Sequence, residues 1–408
     1  MNPIKNKRIT LGVTGSIACY KAADLASKLT QAGAVVDVIL TNSATQFVTP
    51  LTFQSVTGRK AFVDADLWGD QGHVQHIGLG HATHLVVAAP LTANTLAKLA
   101  HGIADNLLTV TALAASCQLV VAPAMDGGMF THPATQANLQ TLIDRGAIIV
   151  GPEAGYLASG MVGLGRMSEP HTILGHIRHI LAQDGPLAGH KVVVTAGGTQ
   201  EPIDPVRIIT NRSSGKQGYA LAQAALDLGA SVTLISTPTG LPVPTGADIV
   251  QVRTAEEMLS ATRTHTSDAD VLLMAAAVAD FRPQAVSMHK IKKGDDAPHL
   301  QLTRTTDILL DIGEQKQSTG CPHLTVGFAA ESENLLSNAE KKLKAKHLDM
   351  IAANDITADD AGFGVDTNRI TLLFPDGSQD TLPLMDKAEI AEAILQKVVE
   401  LLAGNKEA

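Results

Sequence analysis

Residues 191–218 read Lys-Val-Val-Val-Thr-Ala-Gly-Gly-Thr-Gln-Glu-Pro-Ile-Asp-Pro-Val-Arg-Ile-Ile-Thr-Asn-Arg-Ser-Ser-Gly-Lys-Gln-Gly. The β-branched run at 192–195 predicts a strand that ends at Gly197 and Gly198, where the missing Cβ atoms let the backbone come close to a ligand. Two prolines then prevent a regular element. Residues 211–218 supply hydroxyls, an amide, two cations and two glycines before a helical pattern. Such a loop can wrap an anion at a helix N-terminus.

The same order of patterns occurs twice in the chain. Near the N-terminus, a strand pattern at 9–13 is followed by a turn, an amphipathic helix that closes at Gly33, and a strand pattern at 35–40. After residue 195, a turn, an amphipathic helix, Gly229 and a strand pattern at 232–235 repeat this order. Two such openings predict an α/β protein with two doubly wound Rossmann-like domains.

Residues 183–190 are rich in turn formers and separate the two patterns. We therefore predict a first domain at residues 1–188 and a second at residues 189–408. Continuous apolar runs are typical of buried parallel strands. They predict further strands at residues 85–89, 119–122, 148–150, 271–275, 324–327 and 350–353.

Composition argues against several classes of function. A formal net charge of -9 disfavours nucleic acid and anionic membranes as partners, since both need a basic face. Aromatic residues are only 3% of the chain, which disfavours base-stacking platforms. No apolar run reaches the ~18 residues of a membrane span, and we expect no leader peptide. Because Cys19, Cys117 and Cys321 are odd in number and far apart, we expect a reducing cytoplasm rather than disulfides or a zinc site.

Neither opening has the fingerprint of a nicotinamide dinucleotide site. Residues 12–16 do not fit G-x-G-x-x-G, and the following strands end in Thr41-Asn42-Ser43 and Ser236-Thr237, where a ribose-binding acid is expected. No P-loop motif occurs either. Hydroxyls and small residues at strand ends suit a phosphate or flavin mononucleotide (FMN) better, so a dinucleotide-dependent reductase is disfavoured.

Four histidines, His73, His76, His81 and His84, lie in and after a glycine-rich turn. A metal site is disfavoured because no Cys or acidic ligand pattern accompanies them. His76 is a better candidate for a general base or substrate contact, since ligands of α/β domains bind at strand-end loops. Residues 90–94 and 123–128 are such loops, although both are also consistent with helix capping. Residues 160–166 form either a mobile flap or a surface loop.

The charge run Lys290-Ile291-Lys292-Lys293 has two interpretations. Such runs are usually solvated surface, yet this one follows residues 275–280, a strand end that carries Asp280. The run alone does not decide between them.

A series of motifs in the second half carries a family resemblance. They are Thr195-Ala196-Gly197-Gly198-Thr199, Glu201-Pro202, Asp204-Pro205-Val206-Arg207, Asn211, Ser213-Ser214-Gly215-Lys216, residues 276–280, Lys290-Ile291-Lys292-Lys293, Gly327-Phe328-Ala329-Ala330-Glu331 and Ala353-Asn354-Asp355. Over nearly its whole length the chain resembles bifunctional coenzyme A biosynthesis proteins, in which a phosphopantothenoylcysteine decarboxylase is fused to a phosphopantothenate-cysteine ligase. The resemblance implies that the second domain joins 4'-phosphopantothenate to cysteine, using CTP and Mg²⁺, through an acyl-cytidylate.

The resemblance also assigns residues to that reaction. Those implied to hold CTP are Ala275, Ala276, Asp280, Lys290, Thr306, Asp307, Ile308, Leu309, Phe328, Lys342 and Lys346. Asn211 and Arg207 are implied to handle the acyl intermediate, Asp280 to bind the metal, and Lys290 to stabilise charge during catalysis. One local departure is Arg304-Thr305-Thr306-Asp307, where the bacterial pattern has Lys-Asn-Pro-Asp.

The first half resembles the flavodoxin-like, FMN-dependent cysteine decarboxylases, in which FMN oxidises the thiol so that carbon dioxide can leave. The matching flavin-side positions are Gly15, Ser16, Thr41, Ser43, Pro90 and Thr92, and His76 matches the catalytic histidine. Two catalytic positions depart from the pattern, because Pro-Ala-Met-Asn is here Pro123-Ala124-Met125-Asp126 and the flap cysteine aligns with Ser159. An ionised Asp126 cannot donate to the substrate carboxylate, and a serine protonates an enethiolate poorly.

The resemblance further implies a homo-oligomer. The alternative function is a ligase fused to a catalytically silent, flavin-binding regulatory domain.

Overall fold

The computed structural model describes residues 2–68, 75–293, 299–331, 334–355 and 365–404. His73 lies outside these ranges. The chain divides into two compact units, one from Asn2 to Leu181 and one from Ala182 onward. Among the described residues, no helix combines the length and apolar character needed to cross a bilayer.

The described part of the first unit contains a parallel six-stranded sheet in the order β3-β2-β1-β4-β5-β6. Its strands are β1 (Arg8–Val13), β2 (Val35–Leu40), β3 (Ala61–Val63), β4 (Leu85–Leu91), β5 (Leu119–Pro123) and β6 (Ile148–Ile149). Strands β7 (Glu153–Tyr156) and β8 (Val162–Arg166) form a separate antiparallel hairpin. The strand order reverses between β1 and β4, where doubly wound domains bind ligands.

Helices cover both faces of this sheet. They are α1 (Cys19–Gln31), α2 (Pro50–Thr57), α3 (Gln75–Ala82), α4 (Ala93–His101), α5 (Leu107–Ala114), α6 (Gly127–Phe130), α7 (Pro133–Asp144) and α8 (Pro170–Ala182). In β4, Val87 belongs to an apolar cluster that includes Leu25 of α1, whereas the adjacent Ala88 belongs to a second cluster that includes Leu96 of α4. Burial on both faces explains why the parallel strands are continuous apolar runs.

The second unit repeats this plan on a larger sheet, with the order β13-β12-β9-β14-β17-β18-β20-β21 in its described part. The strands of this sheet are β9 (Lys191–Ala196), β12 (Ser231–Ser236), β13 (Ala247–Gln251), β14 (Val271–Met274), β17 (Leu324–Glu331), β18 (Met350–Asp355), β20 (Ile370–Leu373) and β21 (Gln379–Thr381). Short pairs outside it are β10 (Gln200–Pro202) with β11 (Ile208–Thr210), β15 (Phe281–Pro283) with β16 (Leu302–Arg304), and β19 (Thr367–Asn368) with β22 (Met385–Asp386). Its helices are α9 (Lys216–Asp227), α10 (Ala255–Thr266), α11 (Ile308–Thr319), α12 (Leu335–Ala345) and α13 (Lys387–Gly404).

The prediction of two doubly wound α/β domains is confirmed. Each predicted strand is present, with bounds that differ by at most a few residues. Gly33 and Gly229, predicted to close the first helix of each domain, both have φ of 89°. Strands β3, β13, β20 and β21 of the two main sheets were not predicted. Strand β20 pairs antiparallel with β18, and β21 pairs antiparallel with β20.

The predicted linker does not lie wholly between the two cores. Leu187 is 1% exposed and belongs to the apolar cluster of the second unit, together with Leu228 and Val232. Its backbone N–H also donates to the carbonyl oxygen of Leu228 at 2.7 Å. A domain boundary after residue 188 would therefore separate Leu187 from the second core. Whether each half folds independently stays a prediction.

We predict that a fragment of residues 182–408 is more stable than a fragment of residues 189–408. Burying a leucine side chain stabilises a fold by ~1.5–3 kcal/mol, so the shorter fragment should lose about that much free energy of unfolding. Urea denaturation of both fragments, followed by circular dichroism, measures the difference.

The matched control is Leu187→Ala in the longer fragment, which should bring its stability close to that of the shorter one. Equal stability of all three proteins would contradict the placement of Leu187 in the second core.

Candidate active sites

A cavity of about 910 Å³ opens at the carboxyl edge of the second domain's sheet. Its walls come from the start of α9, the residues after β14, the start of α11, and parts of β17 and α12. It brings together eleven predicted residues: Asn211, Ala275, Ala276, Asp280, Thr306, Asp307, Ile308, Leu309, Phe328, Lys342 and Lys346.

The 191–218 stretch positions the loop that carries Asp280. The buried hydroxyl of Thr195 accepts from the N–H of Ala276 at 3.1 Å, and that of Thr199 accepts from the N–H of Ala279 at 2.9 Å. The side-chain amide of Asn211 donates to the carbonyl oxygen of Val278 at 3.0 Å. The loop therefore has a fixed backbone, and Asn211 is held at its surface.

Gly197 and Gly198 approach the protein's own chain, which corrects the expectation of a close approach to a ligand. A Cβ on Gly198 would lie 2.7 Å from the carbonyl oxygen of Asn211, and one on Gly197 would collide with the hydroxyl of Thr237. Gly197 also has φ of 85°, which an L-residue rarely adopts. Neither glycine lines the cavity.

The cavity wall is predominantly cationic. Its charged members are Arg212, Lys216, Arg304, Lys342, Lys346 and Lys387, with Asp280 and Asp307 as the carboxylates. Asp307 caps α11 by accepting from the N–H of Leu309 at 3.1 Å, and it pairs with Lys346 at 2.8 Å. Asp280 is exposed, and within the described residues its carboxylate has no hydrogen bond or ion pair. Such a wall suits a ligand with several negative charges.

No cluster of three or more His, Cys, Asp or Glu residues suited to a metal ion occurs in the described ranges. A divalent cation at Asp280 would thus need further oxygen ligands from a substrate or water. Mg²⁺ commonly binds in this way, through one or two carboxylates and phosphate oxygens.

Arg207 and Lys290 lie outside the cavity wall. Arg207 is bound to the buried carboxylate of Asp204, with 2.9 Å between Nε and Oδ2. Lys290 is exposed and has no hydrogen-bond or ion-pair partner among the described residues. The structure therefore places the two predicted catalytic cations on two surface segments that contact each other, and neither residue lines the cavity.

Asp204 connects the segments that carry these cations. Its carboxylate accepts from the N–H groups of Val206, Arg207 and Ile291, at 2.8, 2.9 and 3.1 Å. Burial acts to raise the pKa of Asp204, but these N–H groups and the Arg207 guanidinium outweigh it and hold the pKa at about 2.

In the first domain, the predicted flavin-side residues meet at the carboxyl ends of β1, β2 and β4. Thr14 donates to the carbonyl oxygen of Pro90 at 2.7 Å and accepts from the N–H of Thr92 at 2.9 Å. Gly15 packs so closely on Ser43 that a Cβ on it would collide. The predicted residues thus lie at the carboxyl ends of three adjacent strands or just after them: Gly15, Ser16, Thr41, Ser43, Pro90 and Thr92.

Not all of their hydroxyls are available to a ligand. Thr41 is buried and accepts from the N–H of Ala44 at 3.4 Å, and Thr92 caps α4. Ser43 is exposed, and its hydroxyl has no partner among the described residues. Ser16 accepts from the N–H of Ala18 at 3.3 Å and keeps its own proton to donate. Hydroxyl and backbone donors of this kind fit a phosphate monoester at the β1/β4 reversal.

His76 lies in the first turn of α3. Its Nδ1 atom is buried and has no hydrogen-bond partner within the described part of the chain. Buried ring nitrogens are usually hydrogen-bonded, so this atom is a candidate for a ligand contact.

Asp126 and Ser159 are in direct contact. The Ser159 hydroxyl at the tip of the β7–β8 hairpin donates to Asp126 Oδ2 at 2.7 Å, while Asp126 Oδ1 accepts from the N–H of Gly128 at 3.0 Å. The hydrogen bond from Ser159 and then that from Gly128 lower the pKa of Asp126. The N–H of Met125 donates to the carbonyl oxygen of Gly165 at 3.1 Å, so the hairpin contacts this loop twice.

The cavity also contains polar residues to which the sequence analysis assigned no role. Lys216, Gln217 and Asn354 belonged to the quoted stretches, whereas Asn368 and Lys387 carried no signal. Asn368 and Lys387 follow segments without strong periodicity, and only the fold places them beside α9.

Two family descriptions match the chain. Residues 187–402 match the DNA/pantothenate metabolism flavoprotein C-terminal domain, and residues 2–182 match the flavoprotein family.

Individual relatives span one or both domains. The coenzyme A biosynthesis bifunctional protein CoaBC of Bacillus subtilis (strain 168) is 45% identical over 401 residues, which are 98% of both chains. A crystal structure of the C-terminal domain of a CoaBC protein is 41% identical and covers 54% of this chain and 99% of that chain, with a TM-score of 0.46. The FMN-dependent cysteine decarboxylase SpaF is 34% identical and covers 40% of this chain and 91% of that chain, with a TM-score of 0.36.

We predict that Asp204→Asn destabilises the second domain in a pH-dependent way. In the folded protein the pKa of Asp204 is about 2, below the ordinary value of 3.8, so the ionised carboxylate favours folding. This stabilisation is fully present above about pH 4. That stabilisation is lost as the pH falls from about 4 towards 2. The gap in urea midpoint between wild type and variant should be widest at neutral pH and narrow below pH 4.

Asp248→Asn is the matched control, since Asp248 is exposed on β13. It should leave the midpoint close to wild type at each pH. A gap for Asp204→Asn that stays constant between pH 7 and pH 3 would contradict the prediction.

Proposed function

This chain belongs to the family of bifunctional coenzyme A biosynthesis proteins, and we propose that its second domain ligates 4'-phosphopantothenate to cysteine and its first domain decarboxylates the product. The observation that carries the ligase assignment is the 910 Å³ cavity, in which a cationic wall, Asp280 and Asn211 lie together. Supplying phosphopantothenate, cysteine, CTP and Mg²⁺ and identifying the products by mass spectrometry tests both assignments.

The ligation proceeds in two steps. A carboxylate oxygen of phosphopantothenate attacks the α-phosphate of CTP, and pyrophosphate leaves, which forms the acyl-cytidylate. The cysteine amine then attacks the acyl carbon, and CMP leaves with the bonding electrons. Charge develops on phosphate oxygens in the first step and on the acyl oxygen in the second. Fixed cations stabilise the former, and an amide donor such as Asn211 can stabilise the latter without adding charge.

Mg²⁺ fits this site because Asp280 is an exposed carboxylate in a wall that otherwise attracts phosphates. When bound, the metal supplies positive charge to the phosphates. Lys342 and Lys346 lie along the same wall and neutralise further phosphate charge.

The first domain fits FMN through the loops after β1, β2 and β4. Ser16 and Ser43 would hold its phosphate, with Gly15, Thr41, Pro90 and Thr92 shaping the pocket. FMN, when bound, supplies the two-electron oxidation of the substrate thiol that lets carbon dioxide leave. The unpartnered Nδ1 of His76 is available to hold or move a proton.

Asp126 and Ser159 set the reactivity of this half. An ionised Asp126 repels a substrate carboxylate, and its lowered pKa keeps it ionised at neutral pH. The Ser159 proton is already donated to Asp126, which makes it less available to a substrate enethiolate. We therefore expect decarboxylation to be slower than ligation.

A silent flavin-binding first domain is not favoured, because the relative that spans 98% of the chain is a bifunctional protein. Flavin absorbance of the purified protein and CTP consumption would separate these functions. The cytoplasmic location and the homo-oligomer stay predictions.

We predict that Lys290→Ala slows ligation by ~10²- to 10³-fold with little change in stability, because the family resemblance assigns Lys290 to stabilise transition-state charge and a cation in that role has about that effect. Pyrophosphate release, measured with saturating substrates, reports the rate.

The control is Lys292→Ala, an exposed lysine of the same run. It should retain the wild-type rate. If both variants match wild type, the run is solvated surface and Lys290 has no role in ligation.

We predict that Asp126→Asn and Ser159→Cys together raise the rate of phosphopantetheine formation by on the order of 10²-fold or more, since the first restores a hydrogen-bond donor and the second a stronger acid. The single variants distinguish the steps. If Asp126 limits the reaction, phosphopantothenoylcysteine stays intact. If Ser159 alone limits it, carbon dioxide is released and the enethiol accumulates.

The rate of ligation serves as the internal control, because Asp126 and Ser159 lie in the first domain and ligation is assigned to the second. If the wild-type protein makes phosphopantetheine as fast as it ligates, Asp126 and Ser159 do not limit the reaction.

A further inference from the structure

Two lysines of the cavity wall begin neighbouring helices. Lys216 is the first residue of α9 and Lys387 the first of α13. The helices share an apolar core that includes Leu221, Ala225 and Ile394. The side chain of Gln217 donates to the carbonyl oxygen of Lys387 at 3.3 Å, which ties the two helix starts together. Their positions are therefore fixed by the fold.

The two ammonium groups differ in their surroundings. Lys387 is 8% exposed, and its ammonium donates to the carbonyl oxygen of Val365. Burial, and then the charge of Lys216, lower the pKa of Lys387. The Lys216 side chain is 35% exposed and pairs with Asp366, with 2.6 Å between Nζ and Oδ1. Lys387 is thus anchored in the wall, whereas Lys216 is held by a partner near solvent.

An anion of higher charge in the cavity should displace Asp366 from the Lys216 ammonium group. Its side chain is 80% exposed, and Asp366 is not among the described residues that line the cavity. Exposed ion pairs are weak because water screens them. A polyphosphate carries several charges and forms stronger, charge-assisted hydrogen bonds to an ammonium group.

The surroundings of Lys216 also favour an anion from inside the cavity. The first turn of α9 contains no acidic residue, and its N-cap, Gly215, provides no side-chain hydrogen bond. The partial positive charge of a helix start disfavours a lysine there and favours an anion. Lys387 adds a second positive charge to the same wall.

We propose that Asp366 is an internal competitor that sets the affinity of the cavity for polyphosphates. Its carboxylate holds Lys216, and the phosphates of a nucleoside triphosphate, or pyrophosphate, take Lys216 in its place while Lys387 stays fixed. This inference rests on the proposed function, since it takes CTP as the ligand of the cavity.

Removing the ion pair between Asp366 and Lys216 should therefore raise the affinity of the cavity for polyphosphates. Asp366→Asn should lower the Kd of the full-length protein for CTP, and for pyrophosphate, by about two- to fivefold, the size expected for an exposed ion pair. Lys216→Met should weaken binding, and Asp366→Asn should have no further effect in that background. Isothermal titration calorimetry without phosphopantothenate measures Kd in the absence of turnover.

Asp376→Asn is the matched control for net charge, because Asp376 is also exposed and contacts Ser378 rather than a lysine. It should leave both Kd values unchanged. Equal gains for Asp366→Asn and Asp376→Asn would indicate a general charge effect and overturn the proposal.

The remaining outcomes separate this inference from the proposed function. If wild type binds and consumes CTP while Asp366→Asn has an unchanged or higher Kd, the competition is wrong and the ligase assignment stands. If wild type binds neither CTP nor pyrophosphate, both are overturned. Circular dichroism of each variant shows that it is folded.

Discussion

The parallel pairing of strands is the constraint on which both sites depend. In the second domain, Thr195 of β9 lies beside Ile235 of β12 and Met274 of β14, and Met274 lies beside Gly327 of β17. Because parallel strands present their carboxyl ends at the same edge, residues that follow them converge even when they are far apart in sequence. The cavity lies where these ends meet.

Buried polar residues near these strand ends mostly stabilise the protein's own loops. Thr14 joins the loops after β1 and β4, and Thr195 and Thr199 hold the loop of Asp280. Asp204 does the same for the segments of Arg207 and Ile291. A buried donor or acceptor without a partner is costly, so these side chains are satisfied within the fold. The residues left to contact ligands are their more exposed neighbours.

Both domains are doubly wound, but the carboxyl edges of their sheets carry different side chains. The first presents hydroxyls, with the carboxylate of Asp126 in contact with Ser159. The second presents a wall of lysines and arginines around Asp280. Hydroxyls suit a phosphate monoester that stays bound, whereas a cationic wall suits a polyphosphate whose charge changes during reaction.

Sequence patterns determined the two α/β domains and most strands of their two main sheets, and the family resemblance of the motifs supplied the group of residues from Asn211 to Lys346 that the cavity brings together. This was possible because apolar periodicity and glycine turns are local signals, and because the order of motifs is readable along the chain. Only the tertiary structure placed Leu187 in the second core, the glycine pair against Thr237 and Asn211, and Ser159 on Asp126. It also decided that Lys216 and Lys387 meet at one wall while Lys290 lies outside it. These facts depend on contacts between residues distant in sequence, and no local pattern encodes which partner a side chain finds when the helices and strands pack.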